Sequence, residues 1–120
     1  MLFRSDVTAT DSAALAELAL KAVEDIKGRD PRRLDVSALT DVMDELVIAS
    51  GTSSRHVRSI AENVVAEARK AGVRPIGVEG QETGEWVLVD FGGVVVHVMG
   101  EEQRKFYALE KLWTAVPGRG

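Results

Sequence analysis

Two short stretches of this 120-residue chain hold residue types that could do chemistry. In Gly51-Thr52-Ser53-Ser54-Arg55-His56, free backbone amides, hydroxyls and Arg55 could together hold an anion such as phosphate at the start of a helix. The stretch lacks the Gly-x-x-x-x-Gly-Lys-Ser/Thr order of a Walker loop. The same residues make a well-capped helix start without any ligand. A nucleotidyl-transfer site would join such a turn to two carboxylates converging on Mg²⁺. No Asp-x-Asp or Glu-x-Asp pair ends a later strand, and Asp90 stands by itself. The second stretch contains Asp90 and His97, whose spacing across a hairpin permits an acid and imidazole pair. No serine or threonine nucleophile is placed beside them. With two histidines and no cysteine, the chain cannot use thiol catalysis, disulfides or cysteine-ligated metals, and its composition argues against a metal site. The expected protein is not an enzyme and takes no cofactor; a nucleotide- and metal-dependent, nucleotidyltransferase-like enzyme is the alternative.

The elements that must position these residues belong to one domain. Fifteen Lys and Arg against 19 Asp and Glu leave a net charge of −4, and 45% of residues are hydrophobic. A chain of this length buries roughly two-thirds of its unfolded surface, enough for a single core. The longest apolar-looking run, residues 13–23, is interrupted by Glu17 and Lys21 and falls short of the roughly 18 residues of a membrane span. Met1 to Asp6 has neither the charge nor the apolar region of a leader, so the expected location is the cytoplasm, without membrane contact. An acidic balance disfavours broad nucleic-acid binding and suits a basic protein partner. The basic run from Lys27 to Arg33 leaves room for a minor RNA contact.

Residues 1–11 and 117–120 are expected to be flexible ends around a domain spanning 12–116. A first helix starts at Asp11 or Ser12, with Ala14, Leu15, Leu18, Ala22 and Ile26 at helical spacing and Gly28 as its stop. Lys27 to Arg33 is expected as a charged turn, followed by a short strand from Leu34 to Val36. Glu45 to Ala49 is a second strand. Thr52-Ser53-Ser54 opens a long helix with Val57, Ile60, Ala61, Val64, Val65 and Ala68 on its core side and Gly72 at its end. Pro75 to Glu79 is expected as an edge strand. A final helix runs from Glu101 to Trp113, with Phe106, Leu109 and Trp113 inward and Tyr107 turned about 100° away from Phe106. The fold class is therefore α/β or α+β: a single mixed sheet of about five strands with three helices.

Gly92-Gly93 is the strongest local signal, a two-residue hairpin turn between Trp86 to Phe91 and Val94 to Met99. Alternation then puts Val87, Val89, Phe91, Val94, Val96 and Val98 on one wholly apolar face, which must be core. The other face carries Trp86, Leu88, Asp90, Val95, His97 and Met99. Trp, Met and an acid together suit the centre of a recognition patch, rimmed by Glu79, Glu82 and Glu85. The same face would lose that role if a helix covered it, with His97 then an interior histidine.

Taken together, Gly51 to Val57, Gly77-Val78-Glu79-Gly80, Trp86 to Gly92, Val94 to Met99 and the helix holding Tyr107, Leu109, Glu110, Leu112 and Trp113 resemble the ribosomal silencing factor family, also called Iojap-related. The resemblance spans residues 12 to 114. Met43-Asp44 stands where the family usually has Thr-Asp, and Glu45 where it has an aromatic or apolar residue. The resemblance implies a nucleotidyltransferase-like fold without the catalytic carboxylates. It also implies binding to ribosomal protein fourteen on the joining face of the large subunit, so that the small subunit cannot dock and translation is repressed when nutrients are scarce. Homodimers are expected in isolation. Carried over by position, the contact surface would use Trp86 and Tyr107, with Leu88, Asp90, His97, Met99 and Glu79 around them. Replacing Trp86 with alanine is expected to remove subunit binding with little loss of fold.

Overall fold

The computed structural model describes residues 11–107, with side chains through Lys105. The expected flexible ends, apart from Asp11, and the inward positions of Phe106, Leu109 and Trp113 lie outside the described residues, as does the side chain of Tyr107. Eight elements follow in order: α1 (Ser12–Asp25), β1 (Arg29–Asp35), β2 (Glu45–Gly51), α2 (Ser54–Lys70), β3 (Gly77–Glu79), β4 (Trp86–Asp90), β5 (Val94–Gly100) and α3 (Glu101–Tyr107). The strands form one mixed sheet in the order β1-β2-β5-β4-β3. β2 and β5 pair in parallel and the remaining neighbours are antiparallel.

Asp11 caps α1 by accepting the Ala14 amide at 3.2 Å. The buried residues of α1 are Leu15, Ala16, Ala19, Ala22 and Val23. Ala14 is exposed, and Leu18 and Ile26 are only half-buried, so the core side is rotated from the expected stripe. The small residues Ala16 and Ala19 give the reason, for they let the helix lie close to its neighbour. Gly28 is not the left-handed residue at the end of α1; Lys27 is, at φ 59°. The Gly28 amide returns to the Val23 carbonyl at 2.9 Å, and a Cβ on Gly28 would collide with Val23. Glycine there serves close approach. Lys27→Gly is expected to raise stability by about 0.5–1 kcal/mol in urea melts, because it removes a left-handed side chain at some cost in unfolded-state entropy. A lower midpoint would contradict this account of the helix end.

The expected charged turn is strand instead. Arg29 onward pairs with β2, with a bulge between Arg29 and Arg32, and Pro31 is tolerated because this is an edge. Charge did not prevent pairing because edge residues need bury only one side. Between β1 and β2, Val36 folds back onto the sheet and is 1% exposed. Glu45, which starts β2, lies buried under the fork of Arg33, with N–O distances of 2.9 and 3.2 Å. That hydrogen-bonded carboxylate raises the Arg33 pKa and lets an acid sit where an apolar residue would otherwise be expected.

β2 is buried along its whole length, as a central strand covered on both faces should be. One face of the sheet packs Val47, Ala49, Val87, Val89, Val94, Val96 and Val98 against α1 and α2. On α2, Ser53 is the cap, accepting the His56 amide at 3.0 Å. Val57, Ile60, Ala61, Val64 and Ala68 point to the core. Gly72 takes φ 85° at the helix end as expected. The hairpin register is also as expected, from Trp86 opposite Met99 to Asp90 opposite Val95. Of the two turn glycines only Gly92 has positive φ, at 94°, as in a turn whose first central residue alone is left-handed. Gly93 leaves room for Ser12, whose hydroxyl lies where a Cβ would be.

Candidate functional site

The face of the sheet turned away from α1 and α2 has a graded surface. Strand register sets Glu79, Leu88, His97, Ile48 and Arg32 in one row across it, and Asp90, Val95, Leu46 and Leu34 in the next. Toward β1 and β2 the face closes. Leu46, Ile48, Val36 and Met99 form a second core cluster, with Leu34, Met43, Trp86 and Val95 half-buried against it. Toward β3 and β4 it opens: Leu88, Asp90 and His97 are half-buried, and Glu79, Glu82 and Glu85 are exposed. Among the described residues Leu88 packs into neither cluster.

Met99 therefore does not belong on a partner-facing patch as expected; it is 0% exposed. Its Cα partners are Trp86 and Ser50, and the segment after β1 brings Val36 into the same cluster, so the methionine fills a core. Trp86 is half in that core. Its indole N–H donates to His97 Nδ1 at 2.9 Å, and the two rings lie 5.9 Å apart at 58°. An indole nitrogen can only donate, so His97 must present an unprotonated Nδ1. Burial pushes its pKa down to about 4, which keeps the ring neutral near pH 7.

Asp90 does not join His97. Its carboxylate accepts the Gly92 amide at 2.8 Å, bracing the hairpin turn. The suggested acid and imidazole pair is thus split between two structural duties.

The Gly51 to His56 turn is likewise spent internally. The Thr52 amide donates to His56 Nδ1 at 2.9 Å, and His56 Nε2 donates to the Ile26 carbonyl at 2.7 Å. His56 is a strut between the start of α2 and the end of α1. The recess of about 300 Å³ in front of this turn is lined by Glu85, Glu101 and Glu102 as well as Thr52, Ser53 and Ser54. Arg55 lines a separate recess with Arg58, Ser59 and Glu62. A triphosphate would meet carboxylates where it needs cations. Among the described residues no group of three or more His, Asp or Glu could hold a metal.

Sequence reasoning missed Arg104, 7% exposed on α3. It donates to Ser50 at 3.1 Å and to the Arg29 carbonyl at 3.4 Å, and lies 3.7 Å from Asp30. It ties α3 to the ends of β1 and β2. An arginine on a helix carries no local sign of a hydroxyl partner 54 residues away.

The family model described as ribosomal silencing factor during starvation matches residues 9–119. A ribosomal silencing factor from Chromobacterium violaceum is 48% identical over 99 residues, covering 82% of this chain and 81% of that protein. A crystal structure of a Chromobacterium violaceum protein superposes with a TM-score of 0.85 at 45% identity, covering 87% of each chain. A mouse protein named for mitochondrial assembly of the ribosomal large subunit is 40% identical over 74 residues, covering 59% of this chain and 32% of its own length. With a family match along nearly its whole length and a close relative that shares its fold, this chain belongs to the ribosomal silencing factor family.

Proposed function

We propose that the protein binds the large ribosomal subunit through ribosomal protein fourteen on the joining face, and represses translation by standing where the small subunit must dock. The observation that carries this reading is the open half of the outer sheet face. There a half-exposed leucine belonging to neither core cluster is flanked by His97 and by the exposed Glu79, with Glu82 and Glu85 beyond. A rigid sheet presenting apolar area inside an acidic rim fits a basic protein surface. The regulatory names of the bacterial relatives, and the large-subunit name of the mouse one, support the same direction. Steric exclusion needs no chemistry, only a binding free energy above that of the competing contact at working concentration. Homodimerisation in isolation belongs to the same reading, and light scattering measures it. The minor RNA contact at Lys27 to Arg33 is weakened by internal pairing, since Arg29, Arg32 and Arg33 face Glu101, Asp30 and Glu45.

Sedimentation of the tagged protein with separated subunits tests the proposal: co-migration with the large subunit alone is expected. Leu88→Asp should weaken that co-migration about tenfold or more while leaving the urea midpoint little changed, because Leu88 lies outside both clusters. Undiminished binding by this variant would remove the outer face from the proposal.

A further inference from the structure

On the helix-bearing side of the sheet, a strand edge adjoins an apolar groove and two arginines that make no ion pair among the described residues. Among the described residues β3 closes its side of the sheet and is hydrogen-bonded only to β4. Ile76 donates its amide inward to the Asp90 carbonyl at 2.6 Å. The Phe91 amide bonds across to Val94, so alternation turns the main-chain groups of Asp90 and Leu88 toward β3; Gly77 and Glu79 opposite them bond inward, and the main-chain groups of Val78 point away from the sheet. Beside this edge Ile76 is 73% exposed, and a Cβ on Gly77 would meet nothing within 4 Å.

A groove of about 310 Å³ between α2 and the sheet is lined by Ala61, Val65, Val78 and Val87, with Arg58 and Arg69 the first and last of its helical residues. Neither arginine makes an ion pair among the described residues. Eleven helical positions separate them, about 16 Å along the axis, a span matched by roughly five residues of extended chain. Glu62 also lines the groove, between the two cations.

We propose that this edge and groove dock an extended peptide segment, apolar at its centre and acidic at both ends, that adds as a further strand beside β3. Val78 supplies the main-chain partners, the groove takes alternate apolar side chains, and Arg58 and Arg69 take the terminal acids. A nucleic-acid strand fits less well, because the described lining offers no aromatic ring for a base to stack on. The groove lies across the sheet from Leu88 and His97, and only the β3 edge at Glu79 borders the proposed ribosome contact.

The test is fluorescence anisotropy with a labelled Asp-Glu-Val-Thr-Val-Asp-Glu peptide on the full chain, alongside amide NMR shifts. Saturable binding is expected, weakened at least tenfold by Arg58→Ala with Arg69→Ala and unchanged by Leu88→Asp. The shifts should centre on Val78, Gln81 and Val65. No saturation at millimolar protein overturns the proposal. So does binding indifferent to the arginine pair, shifts centred on Leu88 and His97, or tighter binding of labelled oligouridylate. Self-association abolished by the same arginine pair would assign the groove to a second copy instead.

Discussion

Lowering the pH from 7 to 4 is expected to cost this fold about 3 kcal/mol through His97 alone. In the folded protein burial holds its pKa at about 4, against an ordinary value of 6.5. Between those values the unfolded chain binds a proton that the folded chain refuses, so stability falls as pH falls. The loss is absent above about pH 6.5, grows through the interval and levels off below about pH 4. The hydrogen bond from Trp86 sharpens the effect, for a proton on Nδ1 would face the indole N–H at 2.9 Å. Asp35 acts in a separate and lower window: the Ser37 hydroxyl and amide hold its pKa below the ordinary carboxylate value, so its contribution is lost only as the pH falls through the acidic carboxylate range. Urea melts at fixed pH, with the His97 ring followed by NMR, check the account. His97→Asn keeps an acceptor near the Nδ1 position and cannot titrate, so its stability should be nearly flat from pH 7 to 4.5. A wild-type ring titrating near 6.5, or equal slopes for the two proteins, would refute it.

Trp86→Ala is expected to destabilise the fold by about 3 kcal/mol as well as to weaken partner binding. The indole packs on the cluster of Leu46, Ile48, Val36 and Met99, and its removal leaves both a cavity and a half-buried imidazole without its donor. Trp86→Phe separates these losses: most ring area stays, and the missing donor alone should cost about 1–2 kcal/mol. The expectation from sequence, lost binding with the fold intact, is therefore revised. Trp86 cannot distinguish folding from binding, whereas Leu88 can. A Trp86→Ala midpoint equal to wild type would show that the indole lies outside the core after all.

The hairpin was legible because its information is local. Alternation about Gly92-Gly93 sorts the residues of β4 and β5 into two faces, whatever surrounds them, and the observed register agrees pair by pair. The stripe of α2, its cap at Ser53 and its stop at Gly72 are local for the same reason. The fold class followed from the order of those elements.

What covers each face was not legible. Alternation put Met99 beside Leu88 and His97, and so it lies in the sheet, but only the return of Val36 over β2 decided that Met99 is core while Leu88 stays partly open. Nor could spacing reveal that Asp90 would turn to Gly92, that His97 would accept from Trp86, or that Arg33 and Arg104 would reach Glu45 and Ser50. The sequence by itself determined the hairpin of β4 and β5, the helix α2 and which of their side chains share a face, because those depend on backbone period and on hydrogen bonds between near neighbours. Tertiary structure decided burial, the protonation of His97 and the long-range partners of Trp86, Arg33 and Arg104, because each of these depends on what another part of the chain brings within a few ångströms.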